Sequence, residues 1–223
     1  MKPVLEGFDP TLLLVLNLIG TFAFGLSGGL AGVRERLDVF GVVVLAVVVG
    51  MAGGITRDLL IGIAPETIRD WRFLTAAGAA GIVTAIAHGV LERLRRPILA
   101  LDAGGLALFS VTGAATALDH GMGPVPAVVL GTITGVGGGV VRDVLVREVP
   151  VVLRTGLYAV PALLGATVVA VAFKSGARSM AVPIVGAALC LVIRLAALRY
   201  DLNLPRPPPP PRRDRRGRRD LDR

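Results

Sequence analysis

The chain has 223 residues, of which 53% are hydrophobic and only 18% charged, with a mean hydropathy of +0.72. A soluble domain of this length needs more polar surface, so lipid is the expected solvent. The net charge of +8 does not mark a nucleic-acid-binding face, because residues 205–223 alone carry eight Arg against three Asp and no aromatic platform interleaves with them.

A helix crosses a bilayer core with about 20 apolar residues, and seven stretches of this chain approach that length. The first, 11–31, follows a leader in which Lys2 is opposed by Glu6 and Asp9, so it reads as a retained span and not a cleaved signal. The second, 39–61, comes after Arg34-Glu35-Arg36 and holds Gly50 and Gly53-Gly54 before Arg57-Asp58. A charged break from Glu66 to Arg72 leads to the third, 73–91, and another from Glu92 to Arg96 leads to the fourth, 98–118, with Asp102 near its start. Asp119-His120 precedes the fifth, 124–146, which carries Gly135, Gly137-Gly138-Gly139 and Arg142-Asp143. Arg147 to Arg154 separates it from the sixth, 156–173, and Lys174 to Arg178 separates that from the seventh, 180–198. The seventh contains the single cysteine, Cys190, which excludes a disulfide framework or a thiolate metal site.

The membrane domain is thus expected to span 1–204, and 205–223, with its proline run and arginine doublets, to be a disordered tail. That tail is either purely topogenic or a binder of anionic lipid. Arg34, Arg36, Arg93, Arg95, Arg96, Arg147, Arg154 and the tail fall on one side of the membrane, against Lys2, Arg69, Arg72, Lys174 and Arg178 on the other. This bias places the N-terminus outside and the C-terminus in the cytoplasm.

An internal repeat organises the spans. Shifting the sequence by 85 residues aligns 20–69 with 105–154 without a gap, with 14 of 50 positions identical. Phe24 falls on Phe109, Gly28 on Gly113, Gly50 on Gly135, Gly53-Gly54 on Gly138-Gly139, Arg57-Asp58 on Arg142-Asp143, Pro65 on Pro150 and Arg69 on Arg154. Repeat one covers about 11–91 and repeat two about 98–173, with helix seven at about 180–198. Three spans per copy is an odd number, so the copies cross the membrane in opposite senses, an architecture typical of permeation proteins. The expected fold is therefore all-α: two inverted three-helix repeats plus a seventh helix.

Adjacent glycines inside a helix invite a kink, and backbone opened at membrane depth must face protein or a water-filled cavity. Gly53, Gly54, Gly137, Gly138 and Gly139 therefore read as a break lining a path, or alternatively as small residues for close packing. Charges within spans usually face a bundle interior or a pathway. Arg57, Asp58, Arg142 and Asp143 fit either a path that attracts cations or helix-end ion pairs; neighbours on a helix point about 100° apart, so each pair need not be internal. Asp102, which corresponds to Asn17, is the strongest of the remaining polar positions; Ser27 and its counterpart Thr112 are further pathway candidates, as are Thr132 and Thr134. Hydroxyls at mid-span more often bond back to their own helix. His88 and His120 stand apart from any ligand set. Gly137-Gly138-Gly139 lacks the Lys-Ser or Lys-Thr of a phosphate loop, and no nucleophile motif or cofactor fingerprint is present, so no enzyme and no cofactor are expected.

These residues resemble a known family. Phe22-Ala-Phe-Gly-Leu-Ser-Gly-Gly, Leu37-Asp-Val-Phe-Gly and Gly53-Gly-x-x-Arg-Asp-Leu-Leu-Ile-Gly are similar to the first half of the bacterial trimeric intracellular cation channels, also described as a glycine transporter domain. Asp102-Ala-Gly-Gly-Leu-Ala-Leu-Phe and Gly137-Gly-Gly-x-x-Arg-Asp-Val-Leu-x-x-Glu-x-Pro look like the second half, and Arg194-Leu-Ala-Ala-Leu-Arg-Tyr is similar to its last span. The resemblance implies a homotrimer with a pore in each subunit that passes monovalent cations, chiefly potassium, between kinked second and fifth helices. The first copy departs from it with Ala52 where many members have a third glycine, and Lys174 is the only lysine after Lys2, so the eukaryotic lipid-binding lysine motif has no counterpart. A secondary transporter of a small solute such as glycine is the rival reading, since inverted repeats also build carriers.

Overall fold

The computed structural model describes residues 9–91, 97–154, 157–177 and 179–202. Lys2, Arg93, Arg95, Arg96, Arg178 and the tail at 205–223, on which part of the topology and lipid expectations rest, lie outside the described residues. The described residues form helices α1 (Pro10–Arg34), α2 (Val39–Ile61), α3 (Glu66–Arg69), α4 (Trp71–Leu91), α5 (Pro97–Asp119), α6 (Pro124–Leu145), α7 (Val151–Arg154), α8 (Ala159–Lys174) and α9 (Ala181–Arg199). Six of them are long and apolar enough to cross a membrane; α8 has only 16 residues, shorter than the sequence predicts for that span. The stretches read as charged breaks after α2 and α6 each contain a single helical turn, α3 and α7.

Local chemistry sets the ends. Asp9 and Asp38 cap α1 and α2 by accepting from the amides of Thr11 and Gly41, each at 2.7 Å, which satisfies donors that have no partner inside the helix. Pro10 and Pro124 occupy the first turns of α1 and α6, where a missing N–H costs nothing. Left-handed residues close α2 at Gly62 (φ 85) and follow α6 at Arg147 (φ 60), 85 residues apart.

The packing groups α1, α2 and α4 into one bundle and α5, α6 and α8 into another, joined through α1 against α5 and α2 against α6, with α9 laid on α5 and α8. Polarity is arranged inside out. Phe40, Ile86, Val125 and Leu153 are more than 70% exposed, while Arg57, Asp58, Asp102, Arg142, Asp143 and Arg194 are all buried. Lipid removes the penalty for exposed apolar side chains and imposes one on exposed charge, so this distribution is that of a membrane protein.

Glycine makes the junction between the bundles. A Cβ at Gly53 would strike the carbonyl oxygen of Thr134 and stand 2.9 Å from the Phe109 ring; a Cβ at Gly138 would stand 2.9 Å from the carbonyl oxygen of Val49 and 3.1 Å from the Phe24 ring. Every residue in the first contact is 85 positions from its counterpart in the second. Phe24 and Phe109 meet between them with ring centroids 5.4 Å apart. The expectation of an opened backbone here is corrected: α2 and α6 are helical without interruption through these glycines. The small residues are used for backbone approach, the packing role that glycine has between membrane helices.

Candidate functional site

The two Arg-Asp pairs form the polar interior. Arg57 donates from Nε to Asp58 Oδ1 at 2.6 Å, and Asp58 Oδ2 accepts the Glu66 amide at 2.8 Å. Arg142 donates from Nε to Asp143 Oδ1 at 2.9 Å, and Asp143 Oδ2 accepts the Val151 amide at 2.8 Å. Each aspartate therefore binds its neighbouring guanidinium with one oxygen and caps the following short helix with the other. Adjacent residues do pair here, because the long Arg side chain folds back along its helix to reach the shorter carboxylate. Neither aspartate is left as a free negative charge.

The remaining partners of the two arginines differ. Arg142 Nη1 donates to Asp102 Oδ1 and to Ser27 Oγ, each at 2.6 Å, while Nη2 reaches Asp143 Oδ1 at 2.8 Å. Ser27 in turn donates to the Ile98 carbonyl at 3.3 Å. The residues corresponding to Ser27 and Asp102 are Thr112 in the second repeat and Asn17 in the first. They bond to each other, Thr112 Oγ1 to Asn17 Oδ1 at 2.8 Å, and make no hydrogen bond to Arg57. Among the described residues, Arg57 has beyond Asp58 only Glu66, 4.0 Å away and more than half exposed. A neutral amide cannot hold a guanidinium as a carboxylate does, since charge-assisted hydrogen bonds are roughly twice as strong.

Arg57 and Asp58 consequently border an open cavity of about 610 Å³, lined also by Glu66, Arg69, Asp70, Thr116 and His120. Outside the spans, Asp70 is held below the ordinary carboxylate range by its side-chain hydrogen bonds with Arg72. A second, more apolar cleft of about 530 Å³ runs between α2 and the end of α6, with Glu35 and Arg147 among its lining residues.

Of the pathway candidates, Arg142, Asp143, Asp102 and Ser27 come together in one cluster, with Gly139 beside Asp102, and Arg57 and Asp58 form a second. Gly53, Gly137 and Gly138 lie at the bundle junction; Gly54 instead faces Thr67 of α3. Thr132 and Thr134 bond back to the carbonyls of Val128 and Leu130, and the His88 and His120 rings lie against the Ala85 and Thr116 carbonyls. Sequence reasoning missed Tyr158 and the role of Arg194. Tyr158 is buried against Gly139 and Asp102, with the Arg194 guanidinium 4.6 Å from its ring centroid. The available signal was an arginine inside the apolar run of the last span.

An inside-out helical bundle with paired buried charges on its central helices defines an integral membrane protein of the channel or transporter class. One family model, described as glycine transporter, matches the chain twice, at 14–89 and 99–174, and the two matches are offset by the same 85 residues as the repeat. The chain belongs to this family, that of the prokaryotic trimeric intracellular cation (TRIC) channels. It is 39% identical over 193 residues to the inner membrane protein YadS of Escherichia coli K12, covering 85% of this chain and 93% of that protein. A membrane protein of Streptomyces coelicolor is 48% identical over 202 residues, covering 90% and 93%. Among solved structures, a TRIC trimeric intracellular cation channel orthologue from Rhodobacter sphaeroides superposes with a TM-score of 0.82 at 35% identity, covering 86% of this chain and all of that one. A prokaryotic TRIC channel crystallised in 0.5 M KCl gives 0.81 at 34% identity, covering 88% of this chain.

Proposed function

We propose that the protein is a channel in the bacterial inner membrane that passes monovalent cations, chiefly potassium, through a pore in each protomer of a homotrimer. The observation that carries this reading is the buried, charge-paired interior between α1, α2, α5 and α6, one end of which opens into a polar cavity. Its support from relatives is the close fold match to solved cation channels of the same family. In this reading the two repeats cross the membrane in opposite senses, with the N-terminus outside and the C-terminus cytoplasmic. Bending of α2 and α6 at Gly53-Gly54 and Gly137-Gly138-Gly139 opens the path without breaking the helices. The Arg142–Asp102–Ser27 cluster is the closed point, because two charged groups and a hydroxyl fill the space an ion would need. On the cytoplasmic side, the basic charge of the sequence 205–223 would attract anionic lipid or act only to orient the chain.

Purified protein in planar bilayers under potassium, sodium and chloride gradients tests this directly. The expected outcome is unitary currents that reverse near the cation equilibrium potential. Saturable counterflow of labelled glycine with no unitary current would instead establish a carrier, the reading that the description of the family model favours.

A further inference from the structure

Asp102, Tyr158 and Arg194 are buried polar side chains that lie in one contiguous chain, with Asp102 Oδ2 and Arg194 Nε not taken up by any hydrogen bond among the described residues. Tyr158 Oη and Asp102 Oδ1 crowd the same point over Gly139, so the phenol stands beside the carboxylate. The Arg194 guanidinium lies over the Tyr158 ring, 4.6 Å from its centroid, and donates from Nη1 to the Leu157 carbonyl at 3.0 Å. Burying polar groups costs free energy unless partners stand close by, so a buried chain of them in a native fold calls for an explanation.

The repeat supplies a control. The counterpart of Tyr158 is Phe73, which is equally buried and has no hydroxyl, and the counterpart of Asp102 is the neutral Asn17. Helix α9, which carries Arg194, lies outside the repeat and packs on α5 and α8. The polar chain Arg142–Asp102–Tyr158–Arg194 therefore exists in one half only, and it links the closed cluster to the added helix.

We infer that Tyr158 and Arg194 are positioning residues for opening: when Arg142 leaves Asp102, the Tyr158 hydroxyl and the adjacent Arg194 charge take over that carboxylate. Asp102 thus has, besides Arg142, a second neighbour in Tyr158 that stays beside it when Arg142 leaves. The open state is reached without stranding a buried carboxylate, which is otherwise strongly disfavoured. This inference rests on the reading of the Arg142 cluster as the closed point of a channel.

Single-channel recording of Tyr158→Phe tests it. Open probability should fall about tenfold, the effect of one hydrogen bond to a charged acceptor, with unitary conductance unchanged. Arg194→Gln should also lower it, and Arg194→Lys should restore part of the loss by keeping the charge. In an Asp102→Asn background, Tyr158→Phe should add nothing. An unchanged or raised open probability in Tyr158→Phe, or an equal loss in the Asp102→Asn background, overturns the inference. A second measurement does not depend on conduction. Ala31 lies one helical turn from Ser27 and corresponds to the cavity-lining Thr116. In a Cys190→Ser background, Ala31→Cys should react with a water-soluble thiol reagent more slowly once Tyr158→Phe is added. Should the native protein pass no cation current, the channel reading fails, while an unchanged or faster reaction rate would independently overturn the role of Tyr158.

Discussion

Arg57 and Arg142 occupy the same place in two copies of one motif, yet one borders a cavity of about 610 Å³ and the other is held by four hydrogen bonds. The backbone relations of the two copies are the same: each Asp caps a following helical turn, and each central glycine meets the opposite bundle's carbonyl. The difference comes from few side chains. Asn17 stands against Asp102 and Phe73 against Tyr158, and of the first pair only Asp102 binds the arginine of its motif. Duplication thus preserved the scaffold, while chemistry diverged at buried polar positions, where one charge outweighs many apolar contacts.

The strongest way to break this comparison is to remove each guanidinium. Arg142→Gln strands two buried carboxylates, Asp102 and Asp143, and should cost about 3–5 kcal/mol, read as a lowered unfolding midpoint in detergent. Arg57→Gln strands only Asp58, which keeps the Glu66 amide, and should lower the midpoint less. Equal losses would show that the two ends are energetically alike.

Next in size are the paired glycines. A methyl at Gly139 would collide with Tyr158 Oη and stand 2.8 Å from Asp102 Oδ1, whereas one at Gly54 meets only the Thr67 methyl, at 2.7 Å. Gly139→Ala should destabilise by about 1–3 kcal/mol and alter gating; Gly54→Ala should do less of both, as thermal melts and bilayer recordings would reveal.

A smaller effect is expected at the open end. Glu66 is exposed on the cavity, and its counterpart is Val151. Glu66→Gln should reduce potassium current entering from that side at low ionic strength, and the deficit should vanish near 1 M salt, where the screening length is about 3 Å. A deficit that persists at high salt would place Glu66 inside the pore and not at its mouth.

The smallest change concerns Asp70, outside the spans. Its folded carboxylate titrates below the ordinary value because Arg72 hydrogen-bonds it. The sign follows: its contribution is present above the ordinary Asp value of about 3.9 and is lost as pH falls through the depressed one. Asp70→Asn should leave the melting temperature nearly unchanged at neutral pH and flatten its fall in acid, since the pair is solvent-exposed.

Much of the molecule was legible in the sequence. The apolar runs gave the principal helices, and their ends carry Asp and Pro where caps and first turns require them. The 85-residue offset was visible because Arg-Asp, Pro and Arg recur at fixed spacing. The glycine clusters were less legible. A GG pair signals a small side chain, but whether it opens a helix or brings two together depends on what packs against it. Here the opposing surfaces are the Thr134 and Val49 carbonyls and two Phe rings. Ser27, Asp102 and Arg142 could be picked singly as polar positions in apolar runs; that they converge could not be seen, because they come from three helices. Tyr158 carried no signal, since a tyrosine near a span end is ordinary.

What the sequence alone determined is therefore periodic and local: lipid as solvent, where the spans lie, the repeat, and the Arg-Asp pair closing each central helix. Hydropathy and spacing along one chain suffice for these, because each depends on neighbours within a few turns or on self-similarity. Only the tertiary structure decided that the two Arg-Asp pairs have different fates. A buried charge takes its behaviour from the partners brought to it in space, and those lie 40 residues away for Asp102 and 115 for Ser27.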